Sequence, residues 1–248
     1  MVDVSKNARV LWHGKWIWAA YITPRRIGYT EKPAEYAGIK KDEMNAFVLM
    51  RKQFSVRKGL KKATINITAD SRYKLFVNGK YIGRGINRCE AYYWYYNVYD
   101  ITSTLTEGEN IIAVSARFYG QEFAYYNLPE LAGRNRENCG KGGILFDINL
   151  QYKNETGETS EWVGSDNTCK IIRNASERSD MPLKNDARGF LEEVDFRKIN
   201  KNWNELDFDD SIWEIPLILD YPIKTLVIDE NAPLHEELHY PTESLFLG

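Results

Sequence analysis

The feature that most constrains this chain is an alternation of apolar and polar residues with a period of two. It is clearest in residues 144–152, where Ile, Phe, Ile, Leu and Tyr at the even positions alternate with Asp, Asn and Gln. Because successive side chains of a β-strand point to opposite faces, this pattern predicts a strand with one buried face. Apolar stripes at helical spacing never persist for three turns. The sequence therefore predicts an all-β fold.

Turn signals separate several further strand patterns. Asn78-Gly79 lies between two apolar runs, 73–77 and 81–82. Asn-Gly favours a type I′ turn, because both of its residues must adopt positive φ, and it predicts a β-hairpin here. The largely apolar segment 111–118 predicts a central strand, and several short strands between turns are typical of a sandwich. Other strands are expected from residue 46 onward, at 65–69, near Trp162 and at 169–173, with a turn at 154–158.

Composition limits the classes of function. The 248 residues fit one large β domain, and the formal net charge of −2 provides no positive field that would attract nucleic acid or an anionic membrane. No apolar run approaches the length that spans a bilayer. We therefore expect neither nucleic acid nor a membrane as a partner.

The beginning of the chain and its cysteines bear on its compartment. Residues 1–14 are polar and lack the apolar centre of a secretory signal, so we expect a cytoplasmic protein. Cys89, Cys139 and Cys169 are widely spaced and match neither a zinc pattern nor a disulfide framework. Reduced thiols are the expectation for such cysteines.

Three segments differ in character. Residues 1–45 combine three Trp residues with Pro, Gly and charge, and we interpret them as an arm packed on the sandwich. Residues 46–220 carry the strand patterns and form the predicted β-sandwich domain. Residues 221–248 contain three Pro and several acidic residues, which is typical of an extended linker leading toward a following domain.

A series of motifs occurs in the order and spacing of one enzyme family. Taken together over residues 12–240, they resemble the N-terminal region of bacterial α-L-rhamnosidases of glycoside hydrolase family 78. The motifs are Trp16-Ile17-Trp18-Ala19, FVLMRKQF at 47–54, the segment 63–85 with Val77-Asn78-Gly79, the aromatic stretch 92–105, GENIIAV at 108–114, the pattern E-x-x-D-x-R…W…F-D-D-S-x-W across 192–213, and the tail from Asn231.

The resemblance implies a fold and a role. It implies a jelly-roll β-sandwich of the galactose-binding-like type, followed in the family by further β domains and an (α/α)6 catalytic barrel that carries the catalytic acid and base. No catalytic residue is therefore expected in this chain, and no cofactor. The implied role is a non-catalytic accessory domain whose partner is the downstream catalytic domain, in a polypeptide that hydrolyses terminal α-L-rhamnosides by inversion. A free-standing carbohydrate-binding module is the alternative.

The aromatic run 92–96 is the candidate binding site. Tyr and Trp rings can stack on the C–H face of a sugar, and neighbouring polar groups can bind its hydroxyls. The alternative is that these rings pack into the sandwich and against a neighbouring domain. The candidate carbohydrate-binding residues, for a ligand such as a rhamnose-containing oligosaccharide, are Arg88, Tyr93, Trp94, Tyr95 and Tyr125.

The remaining motifs do not predict a catalytic or metal site. Glycosidases use two carboxylates across the scissile bond, but the doublets 192–193 and 209–210 consist of adjacent residues, so a self-sufficient hydrolase is not favoured. In the Phe-Asp-Asp-Ser-x-Trp context, Asp209, Asp210 or Ser211 is expected to cap backbone N–H groups in a turn. HEELH at 235–239 matches the zincin letters, but it lies between Pro233 and Pro241 in a stretch too short for the required helix. No metal site is predicted.

Overall fold

A computed structural model of the chain describes residues 11–20, 44–87, 93–120, 141–154, 157–185, 189–220, 225–231 and 236–237. These ranges hold fourteen β-strands, two single-turn 3-10 helices at Thr102–Thr104 and Phe196–Lys198, and no α-helix. Most of the strands form two packed sheets, which confirms the predicted all-β sandwich. Within the described ranges, no helix has the length and apolar character needed to cross a membrane.

The chain passes back and forth between a seven-stranded and a five-stranded sheet, as expected for a jelly roll. The five-stranded sheet has the order β10-β2-β7-β4-β5, and the seven-stranded sheet has the order β13-β1-β8-β3-β6-β14, with β9 also paired to β8. β11 and β12 form a separate hairpin. In chain order the strands are β1 Ile17–Trp18, β2 Ala46–Val56, β3 Leu60–Asp70, β4 Arg72–Val77, β5 Lys80–Gly85, β6 Tyr93–Asp100, β7 Gly108–Phe118, β8 Gly143–Asn154, β9 Gly157–Gly164, β10 Lys170–Arg173, β11 Leu183–Asn185, β12 Gly189–Phe190, β13 Leu217–Ile218 and β14 Thr225–Ile228.

The strand predictions agree with this arrangement. β7 is the middle strand of its sheet, which confirms the central strand predicted from segment 111–118. β4 and β5 form the predicted hairpin, and Asn78 and Gly79 at its turn have φ of 48° and 79°. β9 contains Trp162, and β10 matches the strand expected at 169–173.

The hydrophobic core lies between the two sheets. Ile65 of β3 lies opposite Ile148 of β8 in one sheet, and Leu75 of β4 lies opposite Val114 of β7 in the other. All four side chains are fully buried. Removing such a side chain from water stabilises the fold by roughly 1.5–3 kcal/mol. The alternation seen in the sequence therefore supplies the inner face of each sheet.

The sheet extends beyond the segment assigned to the sandwich. β1 lies in the predicted arm, and it pairs with β8 and β13. β14 lies in the predicted linker, and it pairs with β6 in parallel. Thr225-Leu226-Val227-Ile228 suits a strand because β-branched and apolar side chains pack well on a pleated sheet. Both ends of the described chain thus contribute to the seven-stranded sheet.

The arm residues that precede β1 are fixed on the outer face of the seven-stranded sheet. The buried carboxylate of Asp147 on β8 accepts the backbone N–H groups of His13 at 2.7 Å and of Gly14 at 2.6 Å. Burial raises the pKa of the Asp147 carboxyl, and the two N–H donors act in the opposite direction. The Ser165 hydroxyl donates to the Lys15 carbonyl at 2.7 Å. Buried polar groups must find such partners, so the contacts determine where the arm lies.

Aromatic packing also supports the described part of the arm. Trp18 is fully buried and meets Phe118 edge to face, with 6.3 Å between ring centroids. The His13 ring stacks on Trp162 with centroids 4.4 Å apart. Apart from residues 11–20 and the turn at 44–45, the predicted arm lies outside the described residues.

A C-terminal segment covers the outer face of the five-stranded sheet, and Arg51 of β2 holds it there. The Arg51 side chain is 2% exposed, and its Nε lies 2.7 Å from Asp210 Oδ2. Its guanidinium also donates to the carbonyl oxygens of Trp203, of Glu205 at 2.7 Å and of Phe208 at 3.3 Å. One cation therefore satisfies three loop carbonyls and a carboxylate, which a loop packed against a sheet could otherwise leave without donors.

Aromatic side chains of the same segment pack beside the guanidinium and on the sheet. The Arg51 Cζ atom lies 5.1 Å from the centroid of the Phe208 ring, in a cation–π contact. Trp203 packs edge to face on Phe76 of β4, and its ring stacks on buried Trp213. The Trp and Phe-Asp-Asp-Ser-x-Trp motif thus acts as a cover for the sheet.

Replacing Arg51 with Met retains an apolar stem and removes the charge. We expect Arg51→Met to lower the free energy of unfolding by about 3–5 kcal/mol, because Asp210 and the carbonyls lose their buried donor. Urea denaturation measures this change.

Arg197→Met is the matched control, since the Arg197 side chain is 89% exposed where it pairs with Asp195. We expect it to leave the free energy of unfolding nearly unchanged, because a solvent-exposed ion pair contributes little to stability. A similarly small effect of Arg51→Met would contradict the anchoring role of Arg51.

Candidate functional site

The aromatic run predicted as a sugar platform lies on β6. Trp94 is 1% exposed, and Trp16 of the arm packs against it with ring centroids 5.7 Å apart. Tyr96, two residues on and also buried, meets Trp12 in the same way at 5.4 Å. Trp94 therefore has no ring face free for a sugar in this structure. For Trp94 and Tyr96 the packing alternative describes the geometry, because the arm covers the outer face of the strand.

The other candidate residues are placed differently. Tyr95 is half-buried and packs against the core, and its backbone carbonyl accepts the Thr68 hydroxyl at 2.8 Å. Arg88, Tyr125 and the side chain of Tyr93 lie outside the described residues. The structure thus brings no two of the five candidate side chains together in a described binding surface, and their role stays a prediction.

A polar cluster lies at the inner edge of β6, and we call Tyr73, Asn87, Asn97, Tyr99 and Asp229 the Asp229 cluster. The Asp229 carboxylate accepts the side-chain amide of Asn87 at 2.8 Å and that of Asn97 at 3.2 Å. The Tyr73 hydroxyl donates to Asn97 Oδ1 at 2.7 Å and lies 3.3 Å from the Tyr99 hydroxyl. The cluster therefore connects β4, β6 and the turn that follows β14.

The local sequence explains how these groups come together. Residue 97 lies opposite Ile67 and residue 99 opposite Ile65, so both side chains share the inner face of β3 and β6. Asp229 follows directly after β14, and its N–H donates to the Tyr96 carbonyl at 2.8 Å. Its Oδ1 accepts the Asn231 N–H at 3.1 Å in an Asx turn. The parallel pairing of β14 with β6 therefore sets the position of the carboxylate.

Two glycines of β5 make room for the cluster. A Cβ atom at Gly83 would lie 2.6 Å from the Tyr99 ring, and one at Gly85 would lie 2.2 Å from Asn97 Oδ1. Separations this short are overlaps, so a larger residue would displace the ring or the amide. Glycine at these positions lets β5 approach β6 closely.

The phenols of this region are weak acids. Burial raises the pKa of Tyr73 well above its ordinary value, and burial also raises that of Tyr99. Burial and a hydrogen bond to Glu236 raise the pKa of Tyr81 to about 12. All three hydroxyls are therefore neutral near pH 7, where they act as hydrogen-bonding groups rather than as bases.

The carboxylates near the cluster each have structural partners. Asp229 binds two amides, and Glu236 forms an ion pair with Arg84 at 2.7 Å while also meeting the Tyr81 hydroxyl. In a glycosidase, one such group would instead have to hold a proton for the leaving oxygen. The arrangement is suited to holding the tail against the sheet.

The carboxylate doublets predicted to be structural have different partners within each pair. Glu192 pairs with Arg117, and Glu193 pairs with Arg178. Asp209 accepts the Ser211 N–H at 3.0 Å, which confirms the predicted cap, whereas Asp210 binds Arg51.

The structure describes few of the cysteine and histidine residues to which the thiol and metal predictions apply. Burial raises the pKa of the Cys169 thiol to about 11, and this cysteine forms no disulfide. His235 and His239 lie outside the described residues. Among the residues that the structure does describe, no three His, Cys, Asp or Glu side chains are grouped as metal ligands would be.

Sequence reasoning missed Asp229, and it considered Asn87 only as a possible hydrogen-bonding group for a sugar beside the aromatic run. Asp229 was assigned to the linker because Pro and acidic residues dominate that tail. The signal that identifies it is the apolar run 225–228 followed directly by Asp-Glu-Asn, which is typical of a strand ending in a turn.

Comparison with known proteins identifies the family of this chain. The model of the alpha-L-rhamnosidase N-terminal domain matches residues 58–237, well over half of the chain. The chain belongs to this family. The match includes strands β3 to β14, Asp229 and the segment bound by Arg51, whereas β1, β2 and Arg51 itself lie before it. All five residues of the Asp229 cluster therefore lie in the shared part.

Individual relatives agree with the family match. An alpha-L-rhamnosidase of Formosa agariphila is 24% identical over 230 residues, which cover 90% of this chain and 22% of that protein. The crystal structure of the GH78 family rhamnosidase of Bacillus sp. GL1 superposes with a TM-score of 0.67 at 27% identity, covering 88% of this chain and 20% of that one. The alpha-L-rhamnosidase of Dictyoglumus thermophilum has a TM-score of 0.62 at 23% identity, over 90% and 23% of the two chains. This chain spans about a fifth of the length of these relatives.

Gly83→Ala tests whether the close approach of β5 builds the cluster. We expect the free energy of unfolding to fall by about 1–3 kcal/mol, because the new Cβ overlaps the Tyr99 ring, whose hydroxyl donates to the Arg84 carbonyl at 3.1 Å.

A double-mutant cycle with Tyr99→Ala separates this overlap from a general loss of strand stability. In the Tyr99→Ala background, Gly83→Ala should cost much less, and urea denaturation of the four proteins measures the difference. Equal costs in the two backgrounds would show that the ring is not what requires glycine.

Proposed function

We propose that this chain is a non-catalytic accessory domain of an α-L-rhamnosidase-like glycoside hydrolase, supporting a catalytic domain in the same polypeptide. The observation that carries the proposal is that the chain matches the N-terminal domain of rhamnosidases but only about a fifth of the length of its relatives. A segment of that kind contributes position and stability to a larger enzyme.

The contacts of three charged side chains support the proposal, because each of them holds a distant segment of the chain in place. Arg51 binds the 203–210 loop, Asp147 binds the arm, and Asp229 binds the edge of β6. Groups used in this way hold a rigid body together. A catalytic acid and base would instead need positions beside a bound substrate.

The test compares the isolated chain with the complete natural polypeptide on an aryl α-L-rhamnoside. We expect no hydrolysis by the isolated chain and hydrolysis by the complete polypeptide. In that polypeptide, Arg51→Met should shorten the half-life of activity at elevated temperature, because the accessory domain opens more readily. At 25 °C it should leave kcat and KM within about twofold.

Two results would overturn the proposal. Hydrolysis by the isolated chain, at a rate that survives repeated purification, would show that it is itself an enzyme. If the complete polypeptide were inactive on α-L-rhamnosides, the α-L-rhamnosidase activity proposed for it would be wrong. Arg197→Met is the control for the half-life measurement, since its side chain lies at the surface.

Carbohydrate binding on β6 is the alternative function, and the burial of Trp94 does not favour it. Titration of the isolated chain with L-rhamnose and with rhamnose-containing oligosaccharides addresses it directly. Saturable binding would support a module that recognises sugar, whereas the accessory role alone predicts no saturation.

A further inference from the structure

Exposed hydrophobic residues are concentrated in one part of the described chain. Of the fourteen large hydrophobic side chains that are exposed there, nine lie between Leu191 and Ile218. The most exposed of these are Ile212 at 82%, Phe196 at 77% and Ile215 at 64%. Single exposed apolar residues are ordinary on a protein surface, but a concentration of them marks an interaction surface.

The densest part is residues 212–218, which we call the closing strip. Ile212, Ile215, Leu217 and Ile218 are exposed, while Trp213 and Pro216 between them are buried. Glu214 is the one charged residue of the strip. The strip therefore presents an outer side that is mainly apolar, and its two inward side chains attach it to the sandwich.

Backbone pairing holds the closing strip rigidly across one side of the sandwich. Glu214 and Ile171 of β10 exchange N–H to carbonyl hydrogen bonds of 2.9 Å, at the edge of the five-stranded sheet. Ile218 then pairs with Ile17 of β1, at the edge of the seven-stranded sheet. The apolar side chains thus stand on a backbone fixed to both sheets, so little conformational entropy is lost when a partner covers them.

We propose that the closing strip is the surface on which another folded domain of the same polypeptide docks. This inference rests on the proposed accessory function and adds the contact site to it. The relatives have about four-fifths of their length outside the part that this chain matches. A segment of that length is long enough to form the docking domain. The chemistry of the strip requires an apolar, nearly uncharged face on that domain.

The geometry favours a domain over a short peptide. Contacts between domains of one chain typically bury about 600–1,500 Å². The strip spans both sheet edges and lies in the segment that also exposes Phe196 and Leu206, so a broad surface fits it better than a single added strand.

Cysteine accessibility tests the docking site. Ile215→Cys is introduced into the isolated chain and into the complete natural polypeptide, and its alkylation by a maleimide is followed by peptide mass spectrometry. Leu11→Cys is the matched control, because Leu11 is 78% exposed and lies in the arm. Native Cys169 is a slow internal reference, since it is buried with a raised thiol pKa.

We expect residue 215 to react as fast as residue 11 in the isolated chain. In the complete polypeptide we expect it to react at least about tenfold more slowly, while residue 11 is unchanged. Ile212→Gln in the complete polypeptide should lower the temperature at which this protection is lost, whereas Leu11→Gln should leave it unchanged.

The possible failures are distinguishable. If the complete polypeptide cleaves α-L-rhamnosides but residue 215 reacts as fast as residue 11, the docking site is wrong and the accessory function stands. Concentration-dependent protection of residue 215 in the isolated chain would assign the strip to a second copy of this chain and overturn the inference. A natural polypeptide without a further folded domain would overturn both proposals.

Discussion

The guanidinium of Arg51 joins the outer face of the five-stranded sheet to a segment more than 150 residues further along the chain. A loop that lies against a sheet brings carbonyl groups out of water, and each needs a donor. Arg51 supplies donors to three such carbonyls and to Asp210, and it lies over the Phe208 ring. Because the loop is fixed there, Trp213 is placed inward and the following residues run along both sheet edges.

The same principle operates at the other contacts of the sandwich. Asp147 fixes the arm by accepting two backbone N–H groups, and Asp229 fixes the tail by accepting two side-chain amides. Each buried or partly buried charge thus connects elements that are far apart in sequence. The domain consequently presents a rigid outer surface, which is the property an accessory domain needs if it supports a larger neighbour.

Local patterns predicted much of the sandwich. The alternation in 144–152 identified β8 and its buried face, and Asn78-Gly79 identified the β4–β5 turn, because both signals depend on residues close in sequence. The motif series identified the family, which the match over 58–237 confirms. Features that depend on distant partners were less predictable. The burial of Trp94 under Trp16 could not be derived from β6, since alternation distinguishes two faces without showing what covers each of them.

The tail shows the same limit. Thr225 lies opposite Tyr93, 132 residues earlier in the chain, so no local signal specified that β14 would pair with β6 in parallel. Unless that pairing is known, nothing places Asp229 beside β6, and the sequence of the tail resembles a linker. Arg51 likewise gave no signal of its own, because its partners are backbone carbonyls whose positions a sequence does not reveal.

These contacts predict that arm, sandwich and tail unfold as one cooperative unit. Native-state hydrogen exchange tests this most directly, at the amides of Gly14, Leu219 and Asp229, which donate to Asp147, Trp16 and Tyr96. We predict opening free energies within about 1 kcal/mol of that of Val114 in the central strand. Exchange of these three amides through openings that cost about 3 kcal/mol less, with Val114 still protected, would show that arm and tail are held independently and would contradict the account.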